Sequence, residues 1–131
     1  MSKRIEVTSW NQKLVAYDGT KSVFEFDCVL GDNETPTRPG SFRIKWKDPH
    51  HISSQSAHPM PHSMFFNQGR AIHGGIRIGV RHLAMRGGLG RLDSLTPESM
   101  KIGSHGCVNL TYDDAKRLYE WAPVGTPVTI R

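Results

Sequence analysis

Two short segments of this chain carry side chains from which covalent chemistry can be built. The first is Ser104-His105-Gly106-Cys107-Val108-Asn109. A cysteine attacks as its thiolate, and the bare N–H groups of a tight turn at Gly106 stabilise that anion. They serve equally the oxyanion formed when sulfur adds to a carbonyl. His105 offers an imidazole, and Asn109 a side-chain amide suited to a substrate carbonyl or carboxylate. The second segment is Ala71-Ile72-His73-Gly74-Gly75. Histidine has the pKa of a base that works on a thiol near neutrality, and the Gly74 carbonyl is free to orient its ring N–H. A cysteine and a histidine far apart in sequence are what a thiol nucleophile requires. The same residues also suit a blander role, with the cysteine a small buried hydrophobe and the histidine satisfied elsewhere.

The elements that must position these groups are mostly strands. Arg4–Ser9 alternates, with Ile5 and Val7 on one face, and Lys13–Tyr17 follows the turn Asn11-Gln12. Asp18-Gly19 marks a hairpin into Ser22–Leu30, where Phe24, Phe26 and Cys28 share a face. Gly31–Gly40 reads as a turn-rich loop, and Ser41–Lys47 as one strand with Phe42, Ile44 and Trp46 on one side. Pro49–His62, with four histidines among prolines and serines, reads as a loop. Ser63–Asn67 and Arg70–His73 form a hairpin around Gln68-Gly69. Thr96-Pro97-Glu98 is a minor helix start. One helix is clear, near residues 112–122. Thr111 caps it, Asp113 and Asp114 complement its dipole, and Leu110 staples onto Ala115. Ala115, Leu118, Tyr119 and Ala122 form its apolar stripe; Pro123 stops it, and Thr126–Arg131 closes the chain as a strand.

With 131 residues the chain is one domain's worth, residues 1–131, and no linker or repeat divides it. A hydrophobic share of 37% excludes a disordered polar chain, and no apolar run is long enough for a membrane span. The net charge of +5 is modest, its basic residues are scattered, and no nucleic-acid-binding motif accompanies them. Two cysteines cannot make a disulfide framework of the small secreted kind, and leave a single pair as the one bridge open to them. The histidines at 50, 51, 58 and 62 match no metal-binding spacing, so no metal or other cofactor is expected. The N-terminus carries no secretory signal.

Taken together, Ile72-His73-Gly74-Gly75 and Ser104-His105-Gly106-Cys107-Val108-Asn109 resemble the active-site signature of the L,D-transpeptidase catalytic domains, the YkuD-like family. The resemblance extends along most of the chain. Pro36-Thr37-Arg38-Pro39-Gly40-Ser41-Phe42, Met60-Pro61, Phe65-Phe66, Asp113-Asp114-Ala115 and Val124-Gly125-Thr126-Pro127-Val128 all have counterparts there. It implies a mostly β, sandwich- or barrel-like catalytic fold with one main helix. It also implies a cysteine acyltransferase acting on peptidoglycan stem peptides. Cys107 would attack the carbonyl of a tetrapeptide's third residue and release D-Ala. A neighbouring stem's amine would then resolve the thioester into a 3→3 cross-link. Carried over, His73 is the base and Gly74 its backbone orienter, Gly106 and Cys107 supply oxyanion N–H groups, and Ser104, His105 and Asn109 shape the substrate side. Cys28 falls where the family has an inward apolar residue. The substrate would place the protein in the periplasm or cell envelope.

One departure stands out. Thirty residues, Gly74 to Gly103, separate His73 from Ser104, more than is usual in the family, and they carry five basic residues against two acidic. A long cationic loop of this kind suits a lid that meets stem-peptide carboxylates, and equally a solvated surface insertion. Three further functions are compatible with the residues: hydrolysis of the same stems as an L,D-carboxypeptidase, a cell-wall-targeting toxin, and a non-catalytic peptidoglycan-binding module.

Overall fold

The computed structural model describes residues 2–30, 37–52, 59–76 and 107–131. Within them nine strands form two sheets beside a single helix. Strands β1 (Lys3–Thr8), β2 (Lys13–Asp18), β3 (Lys21–Asp27), β4 (Gly40–Arg43) and β9 (Pro127–Ile130) make a five-stranded sheet in the order β3-β2-β1-β9-β4. The second sheet, in the order β5-β6-β7-β8, holds β5 (Trp46–Ile52), β6 (Pro59–Asn67), β7 (Arg70–Ile76) and β8 (Val108–Thr111). Helix α1 (Tyr112–Trp121) follows β8 directly. The mostly β, sandwich-like expectation and its one main helix match this architecture.

The alternating strands bury one face each. Ile5, Val7, Leu14 and Phe26 from the first sheet meet Met64, Ile72, Val108 and Leu110 from the second, with Ala115 and Leu118 of the helix in the same core. Fully burying one such large side chain contributes about 1.5–3 kcal/mol, so this layer dominates the folding free energy. Cys28 lies in it, fully buried, where the alternation of Phe24, Phe26 and Cys28 put it. The turns obey local chemistry: Gly19 takes φ 66°, and Gln68-Gly69 take φ 46° and 70°, both positive as a tight hairpin requires.

Helix α1 starts as its sequence dictates. The Thr111 hydroxyl accepts the Asp114 N–H at 3.2 Å, and Asp113 and Asp114 sit in the first turn. Its last turn has no basic residue of its own. Lysines from distant strands cap it instead: Lys47 Nζ donates to the carbonyls of Tyr119 (2.6 Å) and Ala122 (2.8 Å), and Lys3 Nζ to that of Trp121 (2.8 Å). These cations neutralise the negative end of the helix dipole.

Two expectations are corrected here. Ser41–Lys47 is not one strand. It breaks at Ile44-Lys45, where the chain crosses between sheets, with the Ile44 N–H donating to Thr126 O and the Lys45 N–H to Phe65 O. Phe42 and Ile44 therefore pack in the core, whereas Trp46 stands half-exposed on the second sheet's other face. Pro49–His62 is not wholly a loop either, because β5 continues to Ile52 and β6 begins at Pro59. Pro49 is tolerated because β5 is an edge strand, where a missing N–H costs no ladder bond. The minor helix start at Thr96-Pro97-Glu98, the cationic stretch at 77–103 and His58 lie outside the described residues.

Candidate active site

The site grows out of the pairing of β7 with β8. These strands run parallel, with Ile72 opposite Val108 and His73 opposite Asn109. Side chains alternate across a sheet, so Ile72, Val108 and Leu110 enter the main core. Ala71, His73, Cys107 and Asn109 take the opposite face. Cys107, one residue ahead of β8, belongs there to a second small cluster with Met60, Phe65 and Ala71. The thiol and the imidazole thus face the same side of the sheet, Cys107 level with Ala71 and His73 two residues further along β7.

Each group has a defined partner. The Ala71 N–H donates to Cys107 Sγ at 3.4 Å. His73 Nδ1–H donates to the Gly74 carbonyl at 2.9 Å, which places the proton on Nδ1 and leaves Nε2 as the basic nitrogen. The Thr37 hydroxyl donates to the Cys107 carbonyl at 3.3 Å, which ties the segment before β4 to the backbone of the thiol. Gly74 lies flat on the start of helix α1. A Cβ there would fall 2.9 Å from Ala115 Cβ, 3.1 Å from Tyr112 Cα and 3.3 Å from Thr111 O. Gly75 follows at φ 114°, a left-handed conformation that side chains resist, where the β7–β8 register shifts.

Electrostatics set the resting protonation. Burial holds His73 below the ordinary histidine value of 6.5; the Gly74 carbonyl opposes this, and nearby His51 adds to it. Burial pushes the Cys107 thiol above 9.0, against smaller downward pulls from the Ala71 N–H and Arg70. Both directions favour the uncharged thiol and the uncharged imidazole at neutral pH.

Asn109 is buried, paired through its backbone to Val29 in both directions at 2.9 Å. Its side-chain Oδ1 has no hydrogen-bond partner among the described residues. Of the residues singled out in the sequence, His73, Gly74, Cys107 and Asn109 are brought together here, while Ser104, His105 and Gly106 lie outside the described residues.

The sequence reading missed the floor and the far wall. Trp46 stacks on Phe65 with ring centroids 3.8 Å apart, and Phe65 pairs with Ala71 across the β6–β7 hairpin. The register that Gln68-Gly69 imposes was the signal for that second pairing. His51 sets its ring edge-on to Phe65 at 4.9 Å and to Trp46 at 5.8 Å, with Nδ1 3.3 Å from Asp48 Oδ2. A row of Trp46, Phe65, Ala71 and the Cys107 thiol thus crosses the sheet. The fourth histidine of the group, His62, is buried away from it between the rings of Tyr112 and Tyr119.

Comparison with known proteins agrees with the fold. A family description, the YkuD L,D-transpeptidase catalytic domain, matches residues 2–130. The fold is similar to an L,D-transpeptidase from Stackebrandtia nassauensis, with 27% identity and a TM-score of 0.78, covering 100% of this chain and 56% of that one. A cysteine-to-serine mutant of the Enterococcus faecium L,D-transpeptidase gives 24% identity and 0.75, over 100% of this chain and 50% of that one. An L,D-transpeptidase solved in complex with imipenem gives 17% and 0.75, over 99% and 59%. The chain therefore spans between half and three-fifths of the length of these structures. No curated protein sequence matches it. A match from residue 2 to residue 130 shows that the chain belongs to the L,D-transpeptidase catalytic-domain family.

Proposed function

We propose that this domain is a cysteine L,D-transpeptidase acting on peptidoglycan stem peptides. The observation that carries the reading is the shared face of Cys107 and His73, with Nδ1 of His73 tied to Gly74 O so that Nε2 is the free base. Sγ attacks the carbonyl of the stem's third residue while its proton passes to Nε2. The tetrahedral oxyanion is met by the backbone N–H groups of Gly106 and Cys107, and Ser104, His105 and the Asn109 side chain hold the peptide. The C–N bond breaks, the proton on Nε2 goes to the departing D-Ala amine, and a thioester remains. An acceptor amine from a second stem attacks the thioester, sulfur leaves and regains a proton, and a 3→3 cross-link results. No metal or other cofactor enters these steps. Such a substrate belongs to the periplasm or cell envelope.

Intact-mass analysis after incubation with a carbapenem tests the nucleophile. Wild type gains one adduct, Cys107→Ala gains none, and His73→Ala gains it more slowly by about 10²-fold or more, the scale of a lost general base. An adduct that persists in Cys107→Ala overturns the assignment. Digestion of a tetrapeptide-rich muropeptide pool then reports the second step: dimers mark transpeptidation, and tripeptides without dimers mark an L,D-carboxypeptidase.

A further inference from the structure

The second half of that reaction sets a proton problem. An alkyl amine arrives at neutral pH as its ammonium and must shed two protons to become an amide nitrogen bearing one hydrogen. His73 returns one of them to the departing sulfur. The other must leave first, because an ammonium has no lone pair with which to attack, and a second base at the site takes it while His73 stays free for the proton shed during attack.

The wall of the site offers one. His51 lies on β5, its ring edge-on to Phe65, which belongs to the same cluster as Cys107. Its Nδ1 is 3.3 Å from Asp48 Oδ2, a carboxylate about one-third exposed. The pair thus combines an anion that attracts an ammonium with an imidazole whose Nε2 is directed away from that anion. His51 also lies within electrostatic reach of His73, where its charge opposes one on His73. A proton on His51 consequently helps His73 to give up its own. Asp48 itself is fixed by the His50 N–H, which donates to its other oxygen at 3.0 Å.

We propose that Asp48 and His51 form the acceptor side of the site, where the carboxylate draws in the ammonium and the imidazole takes the first of its two protons. The released amine attacks the thioester carbonyl, its second proton passes to His73 and on to sulfur, and His51 gives its proton to solvent. Atoms and charge balance: thioester and ammonium become amide, thiol and one proton in water. This assignment rests on the cross-linking reading of the same site.

The test separates the two halves of the reaction in wild type, His51→Gln and Asp48→Asn. Thioester formation is read by intact mass, and dimer formation by muropeptide chromatography. In His51→Gln dimer formation falls at least about tenfold further than thioester formation, as befits a lost base. Asp48→Asn, which keeps the ring, shows the same differential to a smaller degree. With methoxyamine as the acceptor, which is uncharged at neutral pH, the second half yields the tripeptide methoxyamide, and its formation by His51→Gln comes within about threefold of wild type; no packing defect predicts that recovery. Equal losses in both halves, or an unchanged partition, overturn the proposal while leaving the cross-linking reading intact. A wild-type enzyme that forms thioester but no dimers overturns both.

Discussion

Gly74→Ala probes whether the imidazole's orienting carbonyl is positioned by the helix beneath it. The new Cβ would lie 2.9 Å from Ala115 Cβ and 3.1 Å from Tyr112 Cα. Carbon atoms pack at about 3.5–4.0 Å, so the start of helix α1 must retreat by roughly 0.6 Å or more. Overpacking of this kind costs about 1–3 kcal/mol. The φ at 74 is not left-handed, so alanine also stiffens the unfolded chain, which offsets roughly 0.4–1 kcal/mol. The net expectation is a loss of about 1–2 kcal/mol by urea unfolding. At this chain length that lowers Tm by about 3–5 °C per kcal/mol. Because Gly74 O accepts the His73 Nδ1–H, carbapenem acylation should slow in the same variant. The double variant Gly74→Ala/Ala115→Gly removes the nearest obstruction. Glycine in a helix itself costs about 1 kcal/mol, so the diagnostic quantity is the coupling. Ala115→Gly should cost less in the Gly74→Ala background than in the wild-type background, by about 0.5 kcal/mol or more. Additive effects with Gly74→Ala as stable as wild type would refute the reasoning.

Further outcomes follow from the charges. His73 and His62 are both held below the ordinary 6.5, chiefly by burial, so the unfolded chain binds protons there that the folded chain refuses. Stability is therefore full above about pH 6.5 and falls as pH drops below it, measured as urea midpoints between pH 7 and 5. For the same reason the acid limb of the acylation rate against pH has its midpoint below 6.5, and a midpoint above that value contradicts a buried, neutral base. Lys47→Met removes two charge-assisted bonds to the end of helix α1, at 2.6 and 2.8 Å, and should cost about 1–2 kcal/mol. Equal or greater stability in that variant would show that desolvation of the ammonium cancels the capping.

Local signals were strong wherever a feature is short-range. Thr111, Asp113 and Asp114 announce a helix start, and the glycines at 19 and 69 announce tight turns, because caps and positive φ are decided by a few neighbouring residues. His73 and Cys107 were legible through residue type and motif. The strand that joins them was not: Val108–Thr111 has only four residues, and its pairing with Arg70–Ile76 spans more than thirty positions of chain. No local pattern encodes a parallel pairing of that separation. The same limit explains Ser41–Lys47, whose unbroken alternation hides a crossing from one sheet to the other at Ile44-Lys45. It explains the helix C-terminus too, since Lys3 and Lys47 reach Trp121, Tyr119 and Ala122 from distant strands.

The chain's own order of residues thus determined which atoms can react, a sulfur and an imidazole flanked by glycines, since reactivity belongs to side-chain chemistry. Folding alone decided that they share one face, that Gly74 O holds the ring, that Phe65 clusters with the thiol, and that Trp46 and the Asp48–His51 pair line up beyond Phe65. Those relations come from strand register and burial, which sum contributions from residues far apart in sequence.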